Sequence, residues 1–181
     1  MRLQDLYKKK IILEMKKKFG YTNDLAAPKL EKAVVNVGFG RHTKEKQYID
    51  NVINSLSRIT GQKPVLTKAK KSISAFKVRE GSVVGAMVIL RGKRMYDFVE
   101  KLVHVSFPRV RDFRGISKKS VDAQGNLSVG FREHLAFPEI KADEVDKIHG
   151  FEVCISTTAK TREEGLELLK LMGFPFKKKH E

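Results

Sequence analysis

The chain has 181 residues, of which 41% are hydrophobic and 32% charged, and its net charge is +16. That length suits one domain, or one domain with an appendage, and is enough to bury a proper core. A single cysteine, Cys154, excludes an internal disulfide and any Cys-based zinc cluster. The charge is uneven. Residues 1–120 carry 28 Lys and Arg against 10 Asp and Glu, whereas residues 121–181 carry 9 against 11. A polyanionic partner is therefore expected on the first two thirds.

At the N-terminus, Leu3, Leu6, Tyr7, Leu13 and Phe19 recur at helical spacing and Gly20 ends the pattern. Lys8–Lys10 and Lys16–Lys18 wrap this helix, which suits a place between a core and RNA, or a membrane surface. Together with Glu14 they interrupt every apolar run, so the segment does not read as a signal peptide, and the chain reads as cytosolic and soluble. Lys32–Phe39 alternates as a half-buried strand, with Ala33, Val35, Val37 and Phe39 on one face. A helix is predicted over about 44–60, with Tyr48, Val52, Leu56 and Ile59 as its core stripe and Gly61 as its stop. A short strand at 65–67 follows, then a basic loop. Val83–Leu90, apolar on both faces, reads as a central strand. It is the longest apolar run at eight residues, far short of the ~18 that a membrane span needs.

Gly92 ends that strand. A helix over about 93–105 presents Met95, Phe98, Val99 and Leu102 to the core, and Pro108 is expected to stop it. Arg109–Lys119 is irregular and basic. Strands are predicted at 127–131 and 151–158, the second placing Cys154 as a small buried hydrophobe. Thr161 caps a last helix carrying Leu166, Leu169 and Met172, with Glu164 at the capping-box position. The tail 177–181 is expected to fray. The pattern is α+β: a single domain over 1–181 with a mostly antiparallel sheet, helices packed on one face, an open face free for a ligand, and a basic loop protruding at about 68–82.

The run Gly61–Gly81 carries Lys63, Lys68, Lys70, Lys71, Lys77 and Arg79 against one acid, Glu80. A lone charge run is ordinarily a solvated loop. Here Thr, Ser, Gln and a Phe are interleaved with the cations, and those groups bond phosphate and sugar oxygens or stack on bases. Nucleic acid is the better reading. Like charges within the run point to a loop that is mobile when free.

Enzymatic motifs fail one by one. Gly38-Phe39-Gly40 follows a strand, but position 43 is Thr where a dinucleotide loop needs its third glycine. Gly92-Lys93 lacks the other residues of a phosphate-binding loop. The histidines at 42, 104, 134, 149 and 180 form no i, i+3 or i, i+4 ligand pair. Glu133 and His134 can be drawn as an acid/base couple acting on nucleic acid, but no nucleophile is specified nearby. Asp143, Glu144 and Asp146 read as acids near a short helix, interacting with its dipole. No catalytic residue, metal site or cofactor is expected.

Five ordered blocks then carry a resemblance: Leu56–Ser72, Ser72–Gly92, Val105–Ile116, Phe137–Ile140 and Ser156–Phe176. They are similar to the bacterial form of the large-subunit ribosomal protein family called L-five, the universal binder of 5S rRNA. The resemblance covers nearly the whole chain. It implies a structural constituent of the large subunit that helps seat 5S rRNA in the central protuberance, alongside 23S rRNA. It also implies contact with P-site tRNA, a bridge to the small-subunit head protein S-thirteen, and no membrane role. The competing reading is a non-ribosomal basic RNA-binding adaptor.

Residue by residue, the resemblance assigns Asn36 and Gln62 to the 5S rRNA face, with Thr67 and Arg91 as further members. Lys63, Lys68, Lys70 and Lys71 would add phosphate contacts. Ser72–Gly81 matches the loop that reaches tRNA, with Ser72, Phe76, Lys77 and Arg79 as its contacts; a core role is the alternative for Phe76. Arg109, Arg111 and Arg114 match a block expected to meet rRNA or the subunit bridge. The chain departs from the family's pattern at Ala75, where Gly is common, at Ile89, where Thr is common, and at Lys141 and Ala142.

Overall fold

A computed structural model of the chain describes residues 2–43, 45–141 and 147–177. The expectations for Asp143, Glu144, Asp146 and Ala142, and for all of the tail but Lys177, lie outside the described residues. Among the described residues the architecture is α+β, with four helices and a five-stranded antiparallel sheet. In chain order the elements are α1 (residues 3–19), β1 (Leu30–Gly38), α2 (Lys46–Thr60), β2 (Val65–Lys68), β3 (Val83–Leu90), α3 (residues 92–109), β4 (Leu127–Phe131), β5 (Phe151–Thr157) and α4 (Arg162–Leu171). The strands lie in the order β2-β3-β1-β5-β4. The chain divides into two compact units, one of residues 1–33, 90–129 and 154–181, the other of residues 34–89 and 130–153.

In the first unit, α1 is not a uniform α-helix, because Tyr7–Ile11 forms a wide π-turn between Leu3–Leu6 and Ile12–Phe19. A wider turn keeps residues four apart in line, so the buried stripe is Leu3, Tyr7, Ile11 and Met15, and the expected core residue Leu13 is 55% exposed. The Tyr7 hydroxyl donates to the Pro28 carbonyl, and burial pushes its pKa up to about 12. Lys16 pairs with Asp24 and Lys18 with Glu167. Met95, Phe98, Val99 and Leu102 of α3 are buried as the periodicity predicts. Pro108 does not stop this helix. A second π-turn, Leu102–Ser106, precedes it, and the last turn, Phe107–Arg109, runs through the proline. Proline near the start of a turn costs little, because its missing N–H has no obligatory partner there.

α4 begins as expected, with a complete capping box between Thr161 and Glu164. Its Gly165 lies directly on the turn before β4: a Cβ there would come 2.3 Å from the Gly125 Cα. Thr157 ties the same turn down, donating its hydroxyl to the Gly125 carbonyl and its main-chain N–H to the Asn126 side-chain oxygen. Cys154 is half-buried, not a core residue; its sulfur receives the Ser128 hydroxyl. It points to the opposite side of β5 from Val153 and Ile155, as period-two alternation requires.

In the second unit, β1 buries Val35 and Val37, while Val34 and Asn36 on its other face are half-buried. β3 alternates in the same way, with Ala86 and Val88 inside and Met87 and Ile89 half-exposed. Val52, Leu56 and Ile59 of α2 supply the helical side of this core. Gly61 closes α2 in the left-handed conformation at φ 66°, its N–H bonded to the Ser57 carbonyl, a conformation that costs glycine nothing.

Candidate nucleic-acid interface

The open side of the second unit is built by register. β2 pairs antiparallel with β3, Val65 opposite Met87 and Thr67 opposite Gly85, so Thr67 and Gly85 share a face with Met87 and Ile89. A Cβ on Gly85 would lie 2.7 Å from the Thr67 hydroxyl oxygen and 2.8 Å from the Val37 carbonyl oxygen. The glycine therefore lets three strands approach closely, and it keeps the face flat where Thr67 crosses it.

Asn36 lies inside β1, one residue before Val37. Its side of the strand is the half-exposed one. Gln62, just past the end of α2, donates its side-chain amide to the Ile89 carbonyl at 3.3 Å. Asn36, Gln62 and Thr67 thus belong to one unit, where each is half-exposed. Lys63, Lys68, Lys70 and Lys71 are exposed beside them. Arg91, in the other unit, is exposed at the residue before α3.

Residues 69–82 form a hairpin with an internal scaffold, and residues 72–81 are its arm. Ala69 donates to Ser82 and accepts from Gly81, while Ile73 and Val78 exchange two main-chain bonds. The Ser72 hydroxyl accepts the Glu80 N–H at 2.9 Å. Ser74–Phe76 make a single helical turn and Lys77 follows at φ 52°, in the left-handed region. These bonds fold the basic run as a hairpin. Phe76 at its tip is 73% exposed, which removes the core alternative. Lys77 and Arg79 lie on the arm just beyond it, and Ala75 lies in the tip turn.

In the first unit, Arg109, Arg111 and Arg114 are all exposed. Phe113 between them stacks on Phe107 at 5.2 Å and anchors the segment.

A histidine pair stands outside every motif the sequence offers. His134 and His149 stack at 3.8 Å and are both buried. The His134 Nδ1 lies 3.2 Å from the His149 carbonyl oxygen and 3.3 Å from its main-chain nitrogen. Burial lowers the pKa of both rings, that of His149 to about 4. His134 is held in place by the His149 main chain, and no bond ties it to Glu133 among those described. Tyr48 reaches the pair edge-on through His149 and meets His42 on its other side. Partners 15 residues apart leave no periodic signal in the sequence.

Two family models match the chain, that of ribosomal protein L5 over residues 23–79 and that of the C-terminus of the same ribosomal family over residues 83–176. The chain belongs to the ribosomal protein L5 family. Its relatives include the large ribosomal subunit proteins uL5 of Halothermothrix orenii, 54% identical over 96% of this chain and 97% of that protein, and of Carboxydothermus hydrogenoformans, 54% identical over 97% and 98%. That of Colwellia psychrerythraea is 48% identical over 98% of each. Membership makes the chain a structural, non-enzymatic constituent of the large ribosomal subunit. Its place is the cytoplasmic ribosome, as for these bacterial members of the family.

Proposed function

We propose that the open face of the second unit binds 5S rRNA and helps to attach it, with 23S rRNA, in the central protuberance. The arm touches P-site tRNA, and the Arg109–Arg114 segment meets rRNA or the small-subunit head protein S-thirteen. The observation that carries this reading is the grouping of Asn36, Gln62 and Thr67 in one unit, flanked by four exposed lysines. Amide and hydroxyl groups both donate and accept, which suits sugar hydroxyls and base edges. The lysines neutralise phosphates and supply affinity without reading sequence.

The arm suits a different contact. Its exposed Phe76 can stack on a base, and Lys77 and Arg79 follow immediately to hold backbone phosphate. Footprinting the chain on isolated 5S rRNA and on whole ribosomes tests the division. Protection by the lysine-flanked face is expected on both, and protection by the arm only on the ribosome. Equal footprints from arm-deleted and intact chains on the ribosome would remove the tRNA contact.

A further inference from the structure

Between the arm and the first turns of α2 lies a groove of about 1000 Å³, at the upper end of the ~300–1,000 Å³ of ligand pockets. Lys46 and Ile49 line it from the helix, and Ile73, Lys77, Val78 and Arg79 from the arm. Every charged residue in its lining is basic. The nearest acid of α2's approach, Glu45, is held elsewhere by His42 and Lys147. Ile73 is 47% exposed and turns apolar surface into the groove. The Ile73–Val78 exchange and the Ala69, Gly81 and Ser82 bonds hold the arm's own shape.

We infer that this groove takes a strand of RNA with one base unstacked from its neighbours. The base lies on the aliphatic floor of Ile49, Ile73 and Val78. The phosphates on either side of it meet Lys46 from the helix and Lys77 with Arg79 from the arm. Burying a base face against aliphatic carbon removes apolar area from water, and cations on two walls orient the strand across the groove. The inference rests on the reading of the arm as an RNA-binding element. It adds α2 as a second wall, so that the RNA is held between two elements and does not merely touch the tip. An acidic protein segment would satisfy the cations but would leave the floor without a planar apolar partner.

The test uses ribosomes assembled with the full chain in which Ile49 is replaced by a benzophenone-bearing amino acid, compared with the same photoreactive residue at position 76. Position 49 is expected to crosslink to RNA, and Lys46→Glu should lower its RNA yield by about fivefold or more, as loss of a charged hydrogen bond implies. Crosslinks from position 49 to protein alone, or none, would overturn the groove while RNA crosslinks from position 76 left the arm's role standing. An unchanged yield in Lys46→Glu would overturn it equally. Absence of RNA crosslinks from both positions would remove the arm's RNA contact as well.

Discussion

The Gln62 side chain is tied to the Ile89 carbonyl across 3.3 Å, which joins the residue that leaves α2 to the sheet near the end of β3. One amide N–H is used, and a primary amide offers a second donor and two acceptor lone pairs. The bond therefore holds a donor–acceptor pair in a set direction at the edge of the open face. The Ile89 side chain carries no hydroxyl, so the polar side chain at this point is that of Gln62.

Replacing Gln62 or Asn36 by alanine should weaken 5S rRNA binding by about 1–3 kcal/mol each, the cost of leaving buried RNA groups unpaired. Gln124, exposed in the turn before β4, is the control. Equilibrium binding at fixed salt checks this, and losses no larger than that of Gln124→Ala would take both residues out of the interface.

Gly85→Ala should destabilise the chain by about 1–3 kcal/mol through overpacking. The Thr67 hydroxyl at 2.7 Å can rotate away, but the Val37 carbonyl at 2.8 Å is main chain. β1 and β3 must then part. Urea unfolding measures the loss, and a wild-type midpoint would show that the strands have slack.

The stacked histidines give stability a defined pH dependence. Both rings have pKa values lowered by burial, His149 from 6.5 to about 4. A depressed pKa means that the folded state holds the neutral ring, so the stabilisation is complete above 6.5. It is lost as pH falls from 6.5 towards 4, because the unfolded chain takes up protons first. The lowered carboxylates, Glu45, Glu164 and Glu167, act below their ordinary 4.5, so the histidine window opens first. Melting temperature should fall through this range, and His134→Gln/His149→Asn should flatten the fall. An equal slope in the double variant would assign it to other groups.

Thr161→Ala removes the side-chain acceptor of the α4 capping box. About 1 kcal/mol of stability should be lost, with 5S rRNA affinity unchanged. A calorimetric scan paired with the binding assay separates the two effects.

The parts of the fold legible in the sequence are those set by local periodicity. β3 runs from Val83 to Leu90, as its unbroken apolar run indicates, β4 runs from Leu127 to Phe131, as alternation indicates, and Thr161 with Glu164 announces α4. Two helices are less legible because their turns widen. The π-turn at Tyr7–Ile11 shifts the buried stripe to Met15, and the one at Leu102–Ser106 carries α3 past Pro108. Chemistry of the site is legible where composition alone carries it, as in the lysines around β2. Placement is not: the Gln62–Ile89 bond and the His134–His149 stack both depend on pairings between distant residues.

The most direct test of the central claim is a salt titration of the purified chain binding to isolated 5S rRNA. Affinity should be tight at low salt, with log K falling linearly against log salt by several units of slope, and the slope should shrink when Lys63, Lys68, Lys70 and Lys71 are replaced by alanine together. Gln62→Ala should lower affinity at every salt concentration without changing that slope. An affinity that does not respond to salt would contradict the account.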